Sequence, residues 1–415
     1  MPPGKYKIKS LSYIGTLWFL IWFWLSANPS IPAFFPENLY LVSAANALTS
    51  VFLGLLFLSV WLSKPVVRPV SLVAKWMFLY IGWVTFASFF FSPYVWDNWF
   101  KTAGLLASSA SLLTSMLLGS RLLDSRYALI VAGRAYVLGT LTTTAGLLLT
   151  GVDSLRFGNE ELLHPNSLGF LYGSSLCFLL TLPLYHIQLI RSALIVIFAI
   201  LLVLSFSKTS IIGTLLAWLA SAIFQRGLRR VGYLVSLLIV GSVVFLSLQS
   251  YVQQQVEAYV SQVGFIETLT GRTNLWSWTL EMVKDRLWVG YGFGTFREVF
   301  APYSLDLGFV VPIVHAHNAW LDALFAGGVV GMAIFSASML LAAGTIFRVA
   351  RRLAGAGPSL FLVTIATFVL VRGLTEGALN LGRDFIVLSA AAFVAERWLY
   401  RSSPTFDRQT AKRGM

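Results

Sequence analysis

Apolar runs of bilayer length recur from one end of this chain to the other, and that recurrence leaves little choice of fold. A run of about 20 apolar residues satisfies its own backbone as an α-helix and can cross the hydrocarbon layer. Hydrophobic residues make up 57% of the 415 and charged residues 11%, far from soluble usage. The expectation is an all-α polytopic membrane protein with about 12 transmembrane helices. The spans fall near 11–27, 39–62, 74–92, 98–120, 127–150 and 165–186, then near 191–207, 209–225, 231–249, 314–345, 359–377 and 384–400. One large hydrophilic segment, 250–313, separates the ninth span from the tenth. The chain thus divides into spans 1–9 within 1–249, a loop at 250–313, spans 10–12 within 314–400 and a tail at 401–415. The first apolar run has no clear small-residue cleavage site and reads as a retained span. The lone Cys177 sits inside an apolar run, where packing is its ordinary role.

The net charge of +13 suggests nucleic acid until its placement is read. With both termini cytoplasmic and an even number of spans, most of the 30 Lys and Arg fall on the inner side and most of the 17 Asp and Glu on the outer. That is the positive-inside pattern, which accounts for the charge with no nucleic acid partner. The basic residues that break the bias are then informative. Arg156, Lys208, Arg272, Arg372 and Arg383 all fall on the outer side, and together they suggest an anion cavity opening outward. Lys101, Lys284, Arg286 and Arg297 share that side.

Within the loop, Tyr251 to Val263 has helical spacing, and Thr273 to Trp288 reads as a better, amphipathic helix. Leu275, Trp278, Leu280, Met282, Val283 and Leu287 supply its apolar side, opposite Asn274, Ser277, Glu281, Lys284 and Asp285. With Trp276 and Trp288 it suits the membrane interface or a cap on the bundle. Gly290-Tyr291-Gly292-Phe293-Gly294 then breaks regular structure, without the strand and helix a dinucleotide loop requires.

Candidate chemistry gathers at Val314-His315-Ala316-His317-Asn318-Ala319-Trp320-Leu321-Asp322. A neutral imidazole is a natural general base towards a hydroxyl. If 314–322 were helical, His315 and His317 would point about 200° apart, whereas Asn318 and Asp322 would share a face one turn apart. Asp322 falls inside the apolar layer, where a carboxylate is costly and usually functional. Zinc would need a third ligand beyond the two histidines, with His164 a candidate. Arg272 opens the Trp-rich helix, where guanidinium and free N–H groups suit phosphate or diphosphate. The run Ser192 to Phe206 spans only roughly 22 Å as helix, so Lys208 should sit slightly below the outer surface, snorkelling or facing a polar cavity. Glu376 and Asp384 accompany Arg372 and Arg383 in the last outer turn. The outer segments contain no Asp-x-Asp pair for a metal-bound diphosphate, so no metal or other cofactor is expected.

These residues resemble the O-antigen ligase family, within a larger group that includes O-antigen polymerases. The resemblance rests on His317-Asn318, nine residues, Gly328, two residues and Gly331. Gly271-Arg272 followed by Trp276, the Gly-x-Gly-x-Gly turn, and one large loop late in the chain also resemble the family. Where the family usually has Ser-Arg, this chain has Ser207-Lys208, which keeps the charge and loses the bidentate fork.

The resemblance implies a glycosyltransferase of the Gram-negative inner membrane with a periplasmic active site. The donor would be O-antigen glycan on undecaprenyl diphosphate and the acceptor a sugar of lipid A–core, with membrane lipids around both. It selects His317 rather than His315 as the base, with Arg272 and Lys208 stabilising the leaving diphosphate in place of a metal, and inversion at the anomeric carbon. Arg156, Arg372 and Arg383 would assist or hold acceptor phosphates, and His315, Asn318, Asp322 and Glu376 would line the substrate site. An O-antigen polymerase is the nearest alternative, and Arg297 to Gly308 fits its Arg-x10-Gly spacing once. A protein O-glycosyltransferase is a third member of the group. An organic-anion transporter is the alternative from another class, although neither an internal repeat nor mid-membrane polar residues favour it.

Overall fold

The computed structural model describes residues 13–30, 39–63, 71–150, 157, 164–225, 230–232, 234–235, 272–303, 314–353, 357–377 and 380–401. Arg156, the expected helix Tyr251 to Val263 and nearly all of the span at 231–249 lie outside the described residues. Among the described residues the regular structure is helical, with no strand. In chain order the main helices are α1 (Tyr13–Ala27), α2 (Leu39–Ser63), α3 (Leu72–Phe91), α4 (Trp99–Leu122), α5 (Ser125–Thr150) and α6 (Pro165–Thr181). They continue with α7 (Gln188–Leu204), α8 (Lys208–Phe224), α9 (Arg272–Val283), α10 (Ala319–Arg352), α11 (Gly357–Gly373) and α12 (Arg383–Arg401). Among the described residues four stretches are long and apolar enough to cross a membrane: Leu72–Phe91, Thr102–Leu122, Ser125–Leu149 and Ala319–Arg352. Tyr13–Ala27, Gln188–Leu204, Lys208–Phe224 and Gly357–Gly373 are shorter apolar helices.

Local sequence sets the helix starts. Ser71 Oγ accepts the Ala74 amide at 3.0 Å and begins α3. His164 Nδ1 accepts the Asn166 amide at 3.2 Å, with Pro165 at the first helical position of α6. Hydroxyls inside apolar helices bond back one turn, as Thr140 does to Tyr136 O at 2.9 Å, so they leave no orphan donor. The helices pair as α1 with α5, α2 with α4, α3 with α10 and α8 with α11. At the centre is α12, packed on α3, α4, α10 and α11 and buried from Asp384 to Ala395. By contrast, α7 buries only Phe198 and Leu202, while Leu189, Val196, Ile200 and Leu204 remain exposed. An open apolar face of that kind fits lipid as its surroundings.

Three sequence boundaries shift, and the shifts matter for the site. The helix expected from 314 starts at Ala319, and the one expected to end at 377 stops at Gly373. His315, His317 and Glu376 therefore lie in connections outside the helices. The amphipathic helix ends at Val283 and tightens into a 3-10 turn at Lys284–Arg286. It buries the stripe Leu275, Thr279 and Val283, while Trp278, Leu280, Leu287 and Trp288 are exposed. Its apolar residues thus divide between a face on the bundle and one turned outward.

The Gly-x-Gly-x-Gly turn is the splint of a broken helix. Within α10, Gly328 has φ 65° and ψ −167°, which interrupts the hydrogen-bond ladder. The freed groups find partners elsewhere. Tyr291 N donates to Phe325 O (2.7 Å), Gly292 N to Ala326 O (3.1 Å) and the Trp83 indole to Gly327 O (2.8 Å). Val329 N donates to Leu287 O at 2.8 Å. A Cβ at Gly328 would lie 2.2 Å from the Trp288 carbonyl carbon, so the signature glycine answers to both conformation and space.

Candidate active site

The site is assembled from the starts of α6, α8, α9, α10 and α12 and the connection that follows α11. Asn318 caps α10, its side-chain oxygen accepting from Trp320 N (3.0 Å) and Leu321 N (3.1 Å). Its amide nitrogen donates to Leu374 O at 3.0 Å, which ties this helix start to the connection after α11. Immediately before the cap, His317 has φ 53°, a left-handed conformation uncommon for a side chain of this size. Phe206 and Leu381, near the starts of α8 and α12, share that conformation. Backbone strain of this kind clusters where structure serves a site.

The turn His315-Ala316-His317 is pinned from three directions. Ala316 N donates to Asp322 Oδ1 at 2.6 Å, and Ala316 O accepts the Trp276 indole of α9 at 2.8 Å. His317 N donates to His315 Nδ1 at 3.1 Å. Because the turn is not helical, the two imidazoles do not diverge. Their centroids are 4.1 Å apart, replacing the helical expectation of opposed histidines. The two rings nevertheless differ in use, since His315 spends Nδ1 as an acceptor inside the turn. Burial pushes the His315 imidazole down to about 3, with neighbouring His317 adding to the shift and Glu376 opposing it. His315 is therefore neutral at neutral pH.

Glu376 is the joint of the arrangement. Its Oε1 accepts from Arg272 Nη2 at 3.2 Å and from Asn166 Nδ2 at 3.0 Å. Its Oε2 faces His317 Nδ1 at 3.6 Å. Arg272 also donates through Nη1 to Thr375 O at 2.7 Å, and the Thr375 hydroxyl donates to Thr209 at 2.8 Å. Burial alone would raise the Glu376 carboxyl. Its contact with His317 and the charges of Arg372 and Arg272 outweigh that and hold it at about 2. His317 Nδ1 faces this carboxylate without a hydrogen bond among the described residues, on a side chain 31% exposed, and Nε2 is the ring nitrogen not engaged by Glu376.

The remaining cations divide by partner. Arg372 is buried and turned inward, donating to Asp384 Oδ2 (3.1 Å), Asn166 O (3.2 Å) and Ser210 Oγ, with its guanidinium 5.0 Å over the Phe170 ring. It supports Asn166, which in turn supports Glu376. Lys208 is exposed at the start of α8, beside the Thr209–Thr375 bond, and among the described residues no carboxylate or carbonyl holds its ammonium. Arg383 is half-buried at the start of α12 with no hydrogen-bond partner among the described residues. The structure thus brings His317, His315, Arg272, Asn318, Asp322 and Glu376 together, with Lys208 at the edge and Arg372 behind.

Residues 193–336 match the family model described as O-antigen ligase. The match supports the O-antigen ligase family resemblance drawn from the motif, and with it glycan transfer of the ligase or polymerase type and a role in lipopolysaccharide synthesis. No curated protein matches the chain. The matched segment carries Lys208, Arg272 and the His317-Asn318 signature, whereas Asn166, Arg372, Glu376 and Asp384 lie outside it. Asn166 and Thr375 are the polar members that sequence reasoning did not single out. Their one signal was company: Asn166 follows a His-Pro helix start and Thr375 sits between Arg372 and Glu376.

Proposed function

We propose that the protein is an inner-membrane ligase of about twelve spans, with both termini cytoplasmic and this site facing the periplasm. It transfers glycan from undecaprenyl diphosphate to a hydroxyl of a lipid A–core sugar. His317 Nε2 takes the acceptor hydroxyl proton as that oxygen attacks the anomeric carbon. The bond from the anomeric carbon to the diphosphate oxygen breaks, and the diphosphate leaves with the electron pair. Attack opposite the leaving group inverts the anomeric centre. Arg272 and Lys208 neutralise the charge that develops on the diphosphate. Arg272 retains donors for this, because only Nη1 and Nη2 each spend one bond on the protein.

The observation that carries this reading is the shared carboxylate. Glu376 lies 3.2 Å from Arg272 and 3.6 Å from His317, so one group orients the base and fixes the cation beside it. Lys208, exposed at the start of α8 with no carboxylate partner among the described residues, supports an anionic substrate. The test is the lipopolysaccharide ladder of a deletion strain carrying wild type or His317→Ala. The expected result is uncapped lipid A–core in the deletion, glycan accumulating on the lipid carrier, and no rescue by His317→Ala at normal expression. Core capped with a single repeat unit would identify a polymerase instead. An unchanged ladder would remove both and return the anion transporter.

A further inference from the structure

Asp322 is a buried carboxylate to which the chemistry above gives no task. It sits in the first turn of α10 and its two oxygens differ. Oδ1 accepts the Ala316 amide at 2.6 Å. Oδ2 is buried and has no hydrogen-bond partner among the described residues. What Oδ2 meets is the backbone of Gly377, next to Glu376. A Cβ on Gly377 would lie 2.1 Å from Asp322 Oδ2 and 3.1 Å from His315 Nδ1. Gly377 does not have positive φ, so space rather than backbone conformation demands glycine there. The base and its carboxylate ride on two connections far apart in sequence, 314–318 and 374–377. Asn318 Nδ2 to Leu374 O joins them at one point, and the Asp322–Gly377 contact joins them at the other.

We propose that Asp322 is a positioning residue: wedged between the Ala316 amide and the bare Gly377 backbone, it sets the spacing of His317 from Glu376. The inference rests on the reading in which His317 is the base. Size and one acceptor oxygen are what the wedge requires. Asparagine therefore substitutes for Asp322 and alanine does not. A methyl at 377 drives the two connections apart, and removing the Asp322 carboxylate gives that methyl room.

The test uses full-length protein in nanodiscs, an undecaprenyl-diphosphate-linked oligosaccharide as donor and purified lipid A–core as acceptor. Gly377→Ala should lower kcat roughly hundredfold with donor KM within about twofold, as expected for a misplaced base rather than a lost binding contact. Asp322→Ala should lose roughly tenfold in kcat, and Asp322→Asn less than about threefold. The decisive variant is Asp322→Ala/Gly377→Ala, which should match Asp322→Ala alone instead of multiplying the two losses. Multiplied losses, wild-type kcat in Gly377→Ala, or an Asn variant as impaired as Ala would each overturn the wedge. If Gly377→Ala does not fold, recovery of a folded, melting species in the double variant supports the wedge, and its absence overturns it. Failure of the functional reading looks different. His317→Ala would then turn over like wild type, or wild type would not turn over this pair at all, while the melting comparison between Gly377→Ala and the double variant would still report on the wedge.

Discussion

The two ends of the helix bundle use arginine in opposite ways. At the end away from His317, arginines close helix C-termini. Arg191 donates to Leu179 O (2.8 Å) and Leu180 O (3.1 Å) in the last turn of α6, and Arg134 to Leu184 O (2.6 Å) just beyond it. Arg397 donates to Ser120 O (2.5 Å) at the end of α4. Each cation there meets the negative end of a helix dipole and satisfies carbonyls that have no intrahelical partner. At the His317 end, α6, α8, α9, α10 and α12 begin. A cation at a helix start meets the positive end of the dipole and needs an anion to hold it. Arg272 has Glu376, whereas Lys208 has no carboxylate partner among the described residues. Arg286 and Arg372 are the informative exceptions. Arg286 lies at the His317 end yet donates to Phe91 O, the last carbonyl of α3, and Arg372 stands in the last turn of α11 yet pairs with Asp384 at the start of α12. The lesson is that a basic residue against the positive-inside bias is not automatically a ligand for substrate.

Breaking the shared carboxylate should have the largest effect. Glu376→Ala leaves Arg272 uncompensated and His317 without an orienting partner, and glycan transfer should fall roughly thousandfold. A fall of less than about tenfold in the purified assay would mean the base works without it.

A smaller effect sharpens the contrast between the ends. Lys208→Ala should reduce transfer by roughly tenfold while leaving the melting temperature unchanged, because its ammonium has no polar partner among the described residues. Arg191→Ala should do the reverse, lowering stability by about 1 kcal/mol with normal turnover per folded molecule. If both variants melt early, Lys208 is structural and the division between the ends fails.

The smallest expected effect is a pH dependence of stability. His315 has a folded value of about 3 against an ordinary 6.5, so folding favours its neutral form. Its contribution is complete above pH 6.5 and is lost as pH falls towards 3. Glu376 is held at about 2 against 4.5, so its contribution is complete above pH 4.5 and is lost as pH falls towards 2. Both act in the same direction. Melting temperature should be flat near neutrality and decline below pH 6.5. In His315→Gln, which keeps an acceptor for the His317 amide, the decline should begin only near 4.5. An unchanged profile in that variant would show that His315 is not the group responsible.

Much of the architecture was legible in the sequence because hydrophobic patterning acts locally. Runs of apolar residues specify helices whatever their neighbours, whereas the caps Ser71 and Asn318 fix the starts of α3 and α10 only in the structure. The His-Asn-x9-Gly-x2-Gly pattern singled out His317 and Asn318 but not the turn that precedes α10. The boundaries at 314 and 377 were less legible, since Val314, Ala316 and Leu374 are apolar residues that nevertheless lie outside the helices. The turn at His315-Ala316-His317 departs from helix because Asp322, Trp276 and His315 offer its backbone other partners.

By itself, then, the sequence determined a helical, lipid-suited chain, the segment that carries the family signature, and the cations that need explaining. Only the tertiary structure decided how those cations are used. It turned Arg372 inward, paired Arg272 with Glu376, and set that same carboxylate opposite His317. The reason is physical. Periodicity records which side of a helix avoids water, but the meeting of 314–318 with 374–377 depends on how α10, α11 and α12 pack. No local pattern in either connection encodes the other.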